Sequence, residues 1–223
     1  MRILVIRLTS LGDIILTTPV VTALRTRYPE ARIDYLVMQA CIDAISGSPH
    51  LDAILGFDKI RYRGILGLKR FARQLGAYDL VIDLHAKLRS RLLTSFIPGR
   101  VLRYRKRAWW KAIGVHLRLI RYRADAPIVT TYFRALAPLG IPVGSERLDF
   151  YFSDEDRRRV APHAGAAVLA IGAANATKRW PAAHFARLGE LIDGPIAVIG
   201  GTEDAAAGDR IRDFQGDGIA PGA

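Results

Sequence analysis

Short apolar runs alternate along the chain with amphipathic stretches, and this alternation predicts the order of strands and helices. The first run, RILVIR at residues 2–7, is rich in branched side chains, as a buried parallel strand is. Strands are predicted at residues 2–7, 32–38, 51–57, 78–84, 101–104, 167–171 and 196–199. Helices are predicted at residues 13–28, 39–45, 65–75, 87–96, 109–119, 181–192 and 203–214. Pro19 should end, kink or offset the first turns of the first helix. The alternation predicts βαβ units and a parallel sheet.

The alternation breaks at residues 140–164, where a turn-rich stretch is followed by Ser153–Asp156, which has the composition of a capped helix start. We therefore predict an α/β domain at 1–140, a linker at 141–164, a partial second domain at 165–213 and an unstructured tail at 214–223. The second domain has only two strands and two helices. An open parallel sheet of that size does not bury both faces, so we expect that the chain stops inside a domain.

Composition narrows the class of protein. Half of the 223 residues are hydrophobic and 24% are charged, which excludes a disordered chain and a coiled coil. No apolar run is long enough to span a bilayer, and the first residues do not resemble a secretory signal. The single cysteine, Cys41, cannot form an internal disulfide and suits a reducing compartment. We expect a soluble cytosolic globular protein.

The net charge of +12 comes from one segment. Residues 84–124 hold twelve basic residues and no acidic one, while the rest of the chain holds 21 of each sign. The twelve are Lys87, Arg89, Arg91, Arg100, Arg103, Arg105, Lys106, Arg107, Lys111, Arg118, Arg121 and Arg123. Such a patch can concentrate an anionic partner.

Three partners suit this patch: nucleic acid, an anionic membrane surface or a polyanionic substrate. Tyr104, Trp109, Trp110 and Tyr122 lie among the basic residues, and aromatic rings can stack on bases or lie at a lipid interface. A solvated basic face with buried aromatic residues is the plainer alternative. No zinc-finger spacing or RNA-binding aromatic motif is present, so we do not expect nucleic acid as a partner.

The loop Arg7–Asp13 (RLTSLGD) directly follows the first strand, where open α/β sheets bind their ligands. It lacks G-x-G-x-x-G, which argues against a dinucleotide cofactor at this loop. Asp13 stands at a helix start, where the helix dipole favours a carboxylate. It is therefore a candidate for acid–base chemistry or an ordinary residue of a helix N-terminus.

Two later loops also follow strands. The first, Ile171–Pro181 (IGAANATKRWP), offers small residues and Lys178 near a helix start, which suits a phosphate but does not match a Walker A motif. The second, Gly200–Asp204 (GGTED), allows close approach of the backbone, and Glu203 could accept from sugar hydroxyls. Each loop is equally compatible with plain helix capping.

Other candidate chemistries find less support. Asp154–Asp156 matches a D-x-D metal motif, but its position after Ser153 favours helix capping. The five histidines lack metal-ligand spacing, and Ser10 lacks the context of a hydrolase nucleophile. We therefore predict no metal site.

Taken together, these motifs resemble glycosyltransferase family 9, the ADP-heptose:lipopolysaccharide heptosyltransferases. The resemblance rests on the RLTSLGD opening with Thr18-Pro19, the strand Tyr78–His85 with Arg89-Ser90, the K-R-W-P loop and the G-G-x-E turn. It implies an α/β fold of GT-B type: an N-terminal Rossmann-like, doubly wound parallel sheet that binds the acceptor, and an incomplete second Rossmann-like domain that binds the donor and faces the first.

The resemblance also implies residue roles. Asp13 matches the catalytic base, Lys178 the lysine at the donor phosphates and Glu203 the glutamate near the donor ribose. We assign donor binding to Gly172, Lys178, Gly201 and Glu203, and acceptor binding to Ser10, Gly12, Arg89, Arg103, Arg105 and Arg107. Ala173 and Ala174 stand where family members often have hydroxyl residues, and the family's D-[ST]-G-x-x-H segment is missing. We therefore expect weak or absent turnover.

The implied reaction is an inverting transfer of heptose from ADP-heptose to the Kdo/heptose inner core of lipopolysaccharide. ADP-heptose is the donor substrate, and neither a cofactor nor a metal is needed. The acceptor is an anionic lipid A carrying Kdo, so we expect a cytoplasmic protein in peripheral contact with the inner membrane, with Trp109 and Trp110 at the interface. The alternative is a non-catalytic binder of anionic glycolipid through residues 84–124; a nucleic-acid binder ranks third.

Overall fold

The computed structural model describes residues 1–104, 127–173 and 175–215. The chain forms two compact units, Met1–Phe152 and Ser153–Ala223. The division falls inside the segment 141–164, for which the sequence predicts a linker. Its first part belongs to the N-terminal unit: Ile141 is buried there, and the side chain of Thr22 donates to Asp149 at 2.8 Å.

The N-terminal unit is built on a five-stranded parallel sheet. Its strands and α-helices are β1 (Arg2–Ile6), α1 (Leu11–Ile15), α2 (Thr18–Arg27), β2 (Arg32–Met38), β3 (Ala53–Phe57), α3 (Gly64–Leu75), β4 (Leu80–Asp83), α4 (Leu88–Thr94), β5 (Arg100–Arg103) and α5 (Ile128–Phe133). Short 3₁₀ helices span Gln39–Ala44 and Arg134–Leu139. The strand order is β3-β2-β1-β4-β5. The chain therefore winds outward from β1 in both directions, which makes the sheet doubly wound.

The central strand β1 explains why the first apolar run is continuous. Ile3 and Val5 belong to the hydrophobic cluster that includes residues of α1, α2 and α5. Leu4 and Ile6 belong to the cluster that includes residues of α3 and α4. Because successive residues of a strand point to opposite faces, a strand covered on both sides needs apolar residues at every position.

The helix predicted at 13–28 is two helices, α1 and α2. The chain breaks at Leu16 and Thr17, before Pro19, which is the second residue of α2. Proline has no N–H to donate to the carbonyl four residues earlier. That carbonyl, of Ile15, accepts from the hydroxyl of Thr18 instead, at 2.8 Å. Pro19 thus separates the helices by removing one hydrogen bond that Thr18 replaces.

The C-terminal unit contains a two-stranded parallel sheet. Its strands and α-helices are α6 (Asp154–Val160), β6 (Ala167–Ala170), α7 (Ala182–Glu190), β7 (Ile196–Ile199) and α8 (Ala205–Gln215). Short 3₁₀ helices span Ala161–His163, Ala176–Lys178 and Thr202–Asp204. One face of the sheet packs Leu169 and Ile196 against side chains of α7 and α8. On the other face, Val168 and Ile199 remain more than half exposed.

Two predictions in this half concern local features. The capping interpretation of Ser153–Asp156 is confirmed, because the Ser153 hydroxyl accepts from the Asp156 amide at 3.1 Å. Helix α8 continues to Gln215, two residues into the segment predicted as an unstructured tail. The basic helix predicted at 109–119 and residues 216–223 lie outside the described residues. Within the described ranges, no helix is long and apolar enough to cross a membrane.

Replacing Leu4 with alanine tests the double-sided packing of β1. Leu4 is fully buried, and truncation of a buried leucine costs about 2–5 kcal/mol of unfolding free energy. Leu66→Ala is the matched control, because Leu66 is exposed and its truncation should change that free energy by less than about 0.5 kcal/mol. Urea unfolding followed by circular dichroism measures both. Equal effects of the two substitutions would contradict this packing.

Candidate functional site

The loop that follows β1 brings Asp13 to the carboxyl edge of the sheet. Ser10 precedes α1, and both its backbone amide and its hydroxyl donate to Asp13 Oδ2, at 3.4 and 3.1 Å. Ser10 and Gly12 are exposed, and the Asp13 side chain is 37% exposed. A Cβ at Gly12 would meet nothing within 4 Å, so the loop leaves open space beside the carboxylate. Asp13 is therefore fixed in direction and accessible to a ligand.

A buried arginine beneath this loop holds Asp13 in place. Arg7 is only 8% exposed, and its Nη2 lies 2.7 Å from Asp13 Oδ2. Its Nη1 donates to the carbonyl of Leu84 at 2.7 Å, which ties the loop after β1 to the loop after β4. The ring of Tyr132, from α5, lies 5.4 Å from the guanidinium carbon. Arg7 thus connects three elements around one carboxylate.

The charge of Arg7 also determines the ionisation of Asp13. Partial burial by itself raises the pKa of Asp13, but the hydrogen bond and the positive charge of Arg7, together with the Ser10 hydrogen bonds, outweigh burial. The pKa of Asp13 lies below its ordinary value as a result. Asp13 is therefore a carboxylate at neutral pH and can accept a proton.

The loop after β4 is organised by a second carboxylate, which is buried. Asp83 is fully buried and accepts from the backbone amides of His85 and Ala86, at 3.1 and 2.8 Å. Its other oxygen accepts from the Ser90 hydroxyl at 3.0 Å. These bonds fix the turn between β4 and α4. Since β4 pairs directly with β1, this turn lies beside the Asp13 loop.

The β4 turn places His85 and two cations at a cavity of about 590 Å³. Thr9, Lys59, His85, Lys87, Leu88 and Arg89 are among the residues that line it. Burial, reinforced by the charges of Arg7 and Lys87, lowers the pKa of His85 to about 4. The His85 ring is therefore neutral at pH 7, and its buried Nδ1 has no hydrogen-bond partner. The cavity offers positive charge close to the Asp13 loop.

Of the four arginines assigned to acceptor binding, the two that the structure describes line different cavities. Arg89 lines the cavity beside His85. Arg103 lines a separate cavity of about 730 Å³, where its Nη2 donates to Thr94 at 2.8 Å and its Nε lies 3.8 Å from Asp83. Arg105 and Arg107 lie outside the described residues, as do Trp109 and Trp110.

In the C-terminal unit, the candidate donor-binding residues follow the two paired strands. Gly172 and Lys178 follow β6, and Lys178 ends the 3₁₀ helix Ala176–Lys178 with its side chain exposed. Gly201 and Glu203 follow β7, and Glu203 is also exposed. Because β6 and β7 are parallel and adjacent, both loops lie at the same edge of this sheet.

One buried carboxylate joins these two loops. Asp204 is 7% exposed, and its Oδ2 accepts from the Gly201 amide at 3.0 Å. Its Oδ1 lies 3.6 Å from Nη2 of Arg179, whose Nε donates to the carbonyl of Ala173 at 2.7 Å. A Cβ at Gly172 would collide with the Asp204 carboxylate. The absence of a side chain at Gly172 therefore allows the two loops to meet there.

Sequence reasoning did not single out Arg7, His85 or Asp204. Arg7 had a signal: it is a charged residue at the end of an unbroken apolar strand, six positions before Asp13. Asp204 stands at the start of a helix, and its inward direction cannot be read from the sequence. Among the residues that the structure describes, no three His, Cys, Asp or Glu side chains are placed to hold a metal ion.

Comparison with known sequences relates residues 68–213 to the family model "Glycosyltransferase family 9 (heptosyltransferase)". The lipopolysaccharide heptosyltransferase 3 of Escherichia coli K12 is 35% identical over 153 residues, which are 63% of this chain and 41% of that protein. The lipopolysaccharide heptosyltransferase 1 of Pseudomonas aeruginosa is 27% identical over 215 residues, 86% of this chain and 58% of that protein. The chain thus spans between two fifths and three fifths of the length of these relatives.

Solved structures show the same fold. A glycosyltransferase of family 9 from Veillonella parvula matches with a TM-score of 0.69 and 25% identity, over 94% of this chain and 66% of the other. The E. coli heptosyltransferase WaaC with ADP matches with a TM-score of 0.70 and 21% identity, over 95% of this chain and 71% of the other. The predicted α/β fold class of GT-B type is confirmed.

Replacing Arg7 with glutamine should raise the pKa of Asp13, because its cationic partner is lost while burial remains. Arg7→Lys, which keeps the charge, should leave the pKa below its ordinary value. In the wild-type protein, the ion pair contributes its full stabilisation of the fold at pH values above the ordinary Asp pKa of about 3.9. This stabilisation is lost as the pH falls through the lowered pKa of Asp13. Carboxyl ¹³C NMR titration measures the pKa. An unchanged pKa in Arg7→Gln would show that Arg7 does not control Asp13.

Gly172→Ala should destabilise the C-terminal unit by about 1–3 kcal/mol, because the new methyl group meets the buried Asp204 carboxylate. Gly208→Ala is the matched control: its Cβ would meet Ile171 only at an ordinary 3.7 Å, and alanine favours helix α8. Thermal unfolding of the two variants provides the comparison. A Gly172 variant as stable as the Gly208 variant would refute the close approach of the two loops.

Proposed function

Since the chain belongs to glycosyltransferase family 9, we propose that it transfers heptose from ADP-heptose to the Kdo/heptose inner core of lipopolysaccharide, with inversion at the anomeric carbon. The observation that carries this proposal is the ionised Asp13 carboxylate, held by Arg7 and Ser10 at the carboxyl edge of β1. The names of the relatives, lipopolysaccharide heptosyltransferases 1 and 3, support the substrate class.

Asp13 acts as the general base. An acceptor hydroxyl donates its proton to the Asp13 carboxylate while its oxygen attacks the anomeric carbon of the heptose. The bond between that carbon and the diphosphate oxygen breaks, and the electron pair leaves with ADP. The lowered pKa of Asp13 keeps the group deprotonated before the reaction. Arg7 is a positioning residue, because it contacts Asp13 rather than substrate.

The donor is assigned to the loops after β6 and β7. The exposed ammonium group of Lys178 suits the charge that develops on the leaving diphosphate, and Glu203 suits the ribose hydroxyls. Gly172 and Gly201 let the backbone approach the nucleotide closely. A solved neighbour of this fold carries ADP. ADP-heptose enters as a substrate, and the scheme calls for neither a cofactor nor a metal.

The acceptor is assigned to the N-terminal unit. Ser10 and Gly12 leave the approach to Asp13 open, and Lys87 and Arg89 provide positive charge at the adjacent cavity. Phosphates of lipid A and carboxylates of Kdo match such cations. Arg103, Arg105 and Arg107 extend the assignment along the basic segment. A lipid-anchored acceptor further implies that the protein acts at the cytoplasmic face of the inner membrane, in peripheral contact with that membrane.

The test is a single-turnover assay with the protein in excess over Kdo-lipid A and with ADP-heptose as donor. Mass spectrometry should detect acceptor molecules heavier by one heptose, at a low rate in this chain. Asp13→Asn should slow the transfer by about 10²–10⁴-fold, the usual contribution of a general base, while acceptor binding persists.

Asp52→Asn is the matched control. Asp52 also pairs with an arginine, Arg25 at 2.6 Å, and its pKa is also lowered, first by the Ile33 amide. It precedes β3 and therefore lies at the opposite edge of the same sheet. Its substitution should leave the transfer rate unchanged. Acceptor binding by the wild-type chain with neither product nor affinity for ADP-heptose would contradict the transferase and favour the non-catalytic binder.

A further inference from the structure

The four most exposed large aliphatic side chains in the described part of the N-terminal unit lie on α3, on α4 and in the turn before α3. Ile60, Ile65, Leu66 and Leu88 are 79%, 60%, 83% and 74% exposed. Ile65 and Leu66 stand in the first turn of α3, whose opposite face packs into the core. The solvent side of such a helix normally carries polar residues. Clustered exposed aliphatic residues mark interaction surfaces.

The local fold before α3 holds Ile60 on the outside of the unit. Asp58 Oδ1 accepts from the backbone amides of Ile60 and Arg61, at 2.7 and 3.1 Å, which fixes a turn with Ile60 on its outside. The next residue but one, Tyr62, is buried and donates from its hydroxyl to Gln74 at 2.7 Å. The turn and this anchor hold the segment before α3 against the unit while Ile60 projects outward.

The exposed charges around these aliphatic residues are positive. The aliphatic residues belong to two segments, 59–66 and 87–89. The exposed cations of these two segments are Lys59, Arg61, Arg63, Lys87 and Arg89. Asp58, the carboxylate that precedes Lys59, is turned toward backbone amides, which lower its pKa. An anionic surface would therefore meet cations and aliphatic side chains together.

The two segments share one cavity with the candidate site. Ile65 and Leu88 line the same cavity of about 590 Å³ as Thr9 and His85. Thr9 belongs to the loop that carries Asp13. Two of the aliphatic residues and three of the cations, Lys59, Lys87 and Arg89, therefore line the cavity to which, under the proposed function, the acceptor head group binds.

We propose that Ile60, Ile65, Leu66 and Leu88, with the five cations between them, form a docking surface for an anionic phospholipid bilayer, called here the α3–α4 surface. The aliphatic side chains enter the boundary between head groups and acyl chains, and the cations pair with lipid phosphates. This inference rests on the proposed function, because a lipid-anchored acceptor reaches Asp13 without leaving the bilayer when this surface faces the membrane.

Sedimentation with vesicles tests the α3–α4 surface without donor or acceptor. One set of vesicles contains phosphatidylcholine alone, and the other also contains phosphatidylglycerol. The wild-type chain should bind the second set more strongly, and the difference should shrink as salt rises. The double substitution Ile60→Ser with Leu66→Ser should reduce partitioning by at least about tenfold, because several buried methylene equivalents are lost.

Leu191→Ser is the matched control. Leu191 is 78% exposed, close to the 83% of Leu66. It lies, however, in the C-terminal unit between the acidic residues Glu190 and Asp193. Its variant should partition as the wild type does, and circular dichroism should show all variants folded. Undiminished binding by the Ile60/Leu66 variant, an equal loss with Leu191→Ser, or binding only when lipid A is present would overturn the proposal.

A second readout separates this proposal from the proposed function. With acceptor in detergent micelles, the Ile60/Leu66 variant should transfer heptose as fast as the wild type does, since the bilayer is absent and neither residue lines the acceptor cavity. Transfer in micelles combined with unaltered vesicle binding by the variant would refute the α3–α4 surface but not the proposed transferase. Loss of vesicle binding by the variant, with neither transfer nor ADP-heptose binding by the wild type, would refute the transferase but not the α3–α4 surface.

Discussion

The contact between Arg7 and Asp13 is the interaction on which the rest of the N-terminal unit's chemistry depends. A guanidinium buried at the end of an apolar strand is costly unless an opposite charge lies against it, and Asp13 provides that charge at 2.7 Å. Asp13 is only partly buried, so its carboxylate meets both Arg7 and the solvent. The same contact therefore stabilises the fold and keeps an ionised base at the surface.

Both units use a buried carboxylate to shape the loops at the carboxyl ends of parallel strands. Asp83 accepts two backbone amides after β4, and Asp204 accepts the Gly201 amide after β7. In each case the carboxylate is hidden, while neighbouring side chains such as Arg89 and Glu203 face outward. Buried groups organise the loops, and the exposed groups they present are the ones assigned to ligands.

The sequence predicts the sheet well because the physical cause is local. The run RILVIR can be buried on both sides only in the middle of a parallel sheet, and β1 lies there. The sequence predicts that Pro19 interrupts the helix, but it does not locate the break, because the break depends on the Thr18 hydroxyl that replaces the missing donor. Helix α5 was missed, and it supplies the Tyr132 ring beside Arg7. Contacts of this kind join residues more than a hundred positions apart, which no local pattern encodes.

Candidate site residues divide in the same way. Asp13 can be found from its position after a strand, and Gly172 and Gly201 from their turns. The direction of Asp204, the neutral His85 ring and the separation of Arg89 from Arg103 depend on tertiary packing. The exposed aliphatic residues around α3 are visible in the sequence only as apolar residues, and the outward position of Ile60 depends on the turn that Asp58 fixes.

A double-mutant cycle on the rate of heptose transfer tests most directly whether Arg7 acts through Asp13. The rates of the wild type, Arg7→Gln, Asp13→Asn and the double variant are compared under single-turnover conditions. If Arg7 works by holding the base, the double variant is no slower than Asp13→Asn alone. Losses that multiply in the double variant would show that the two residues act independently, and would contradict the account given for this site.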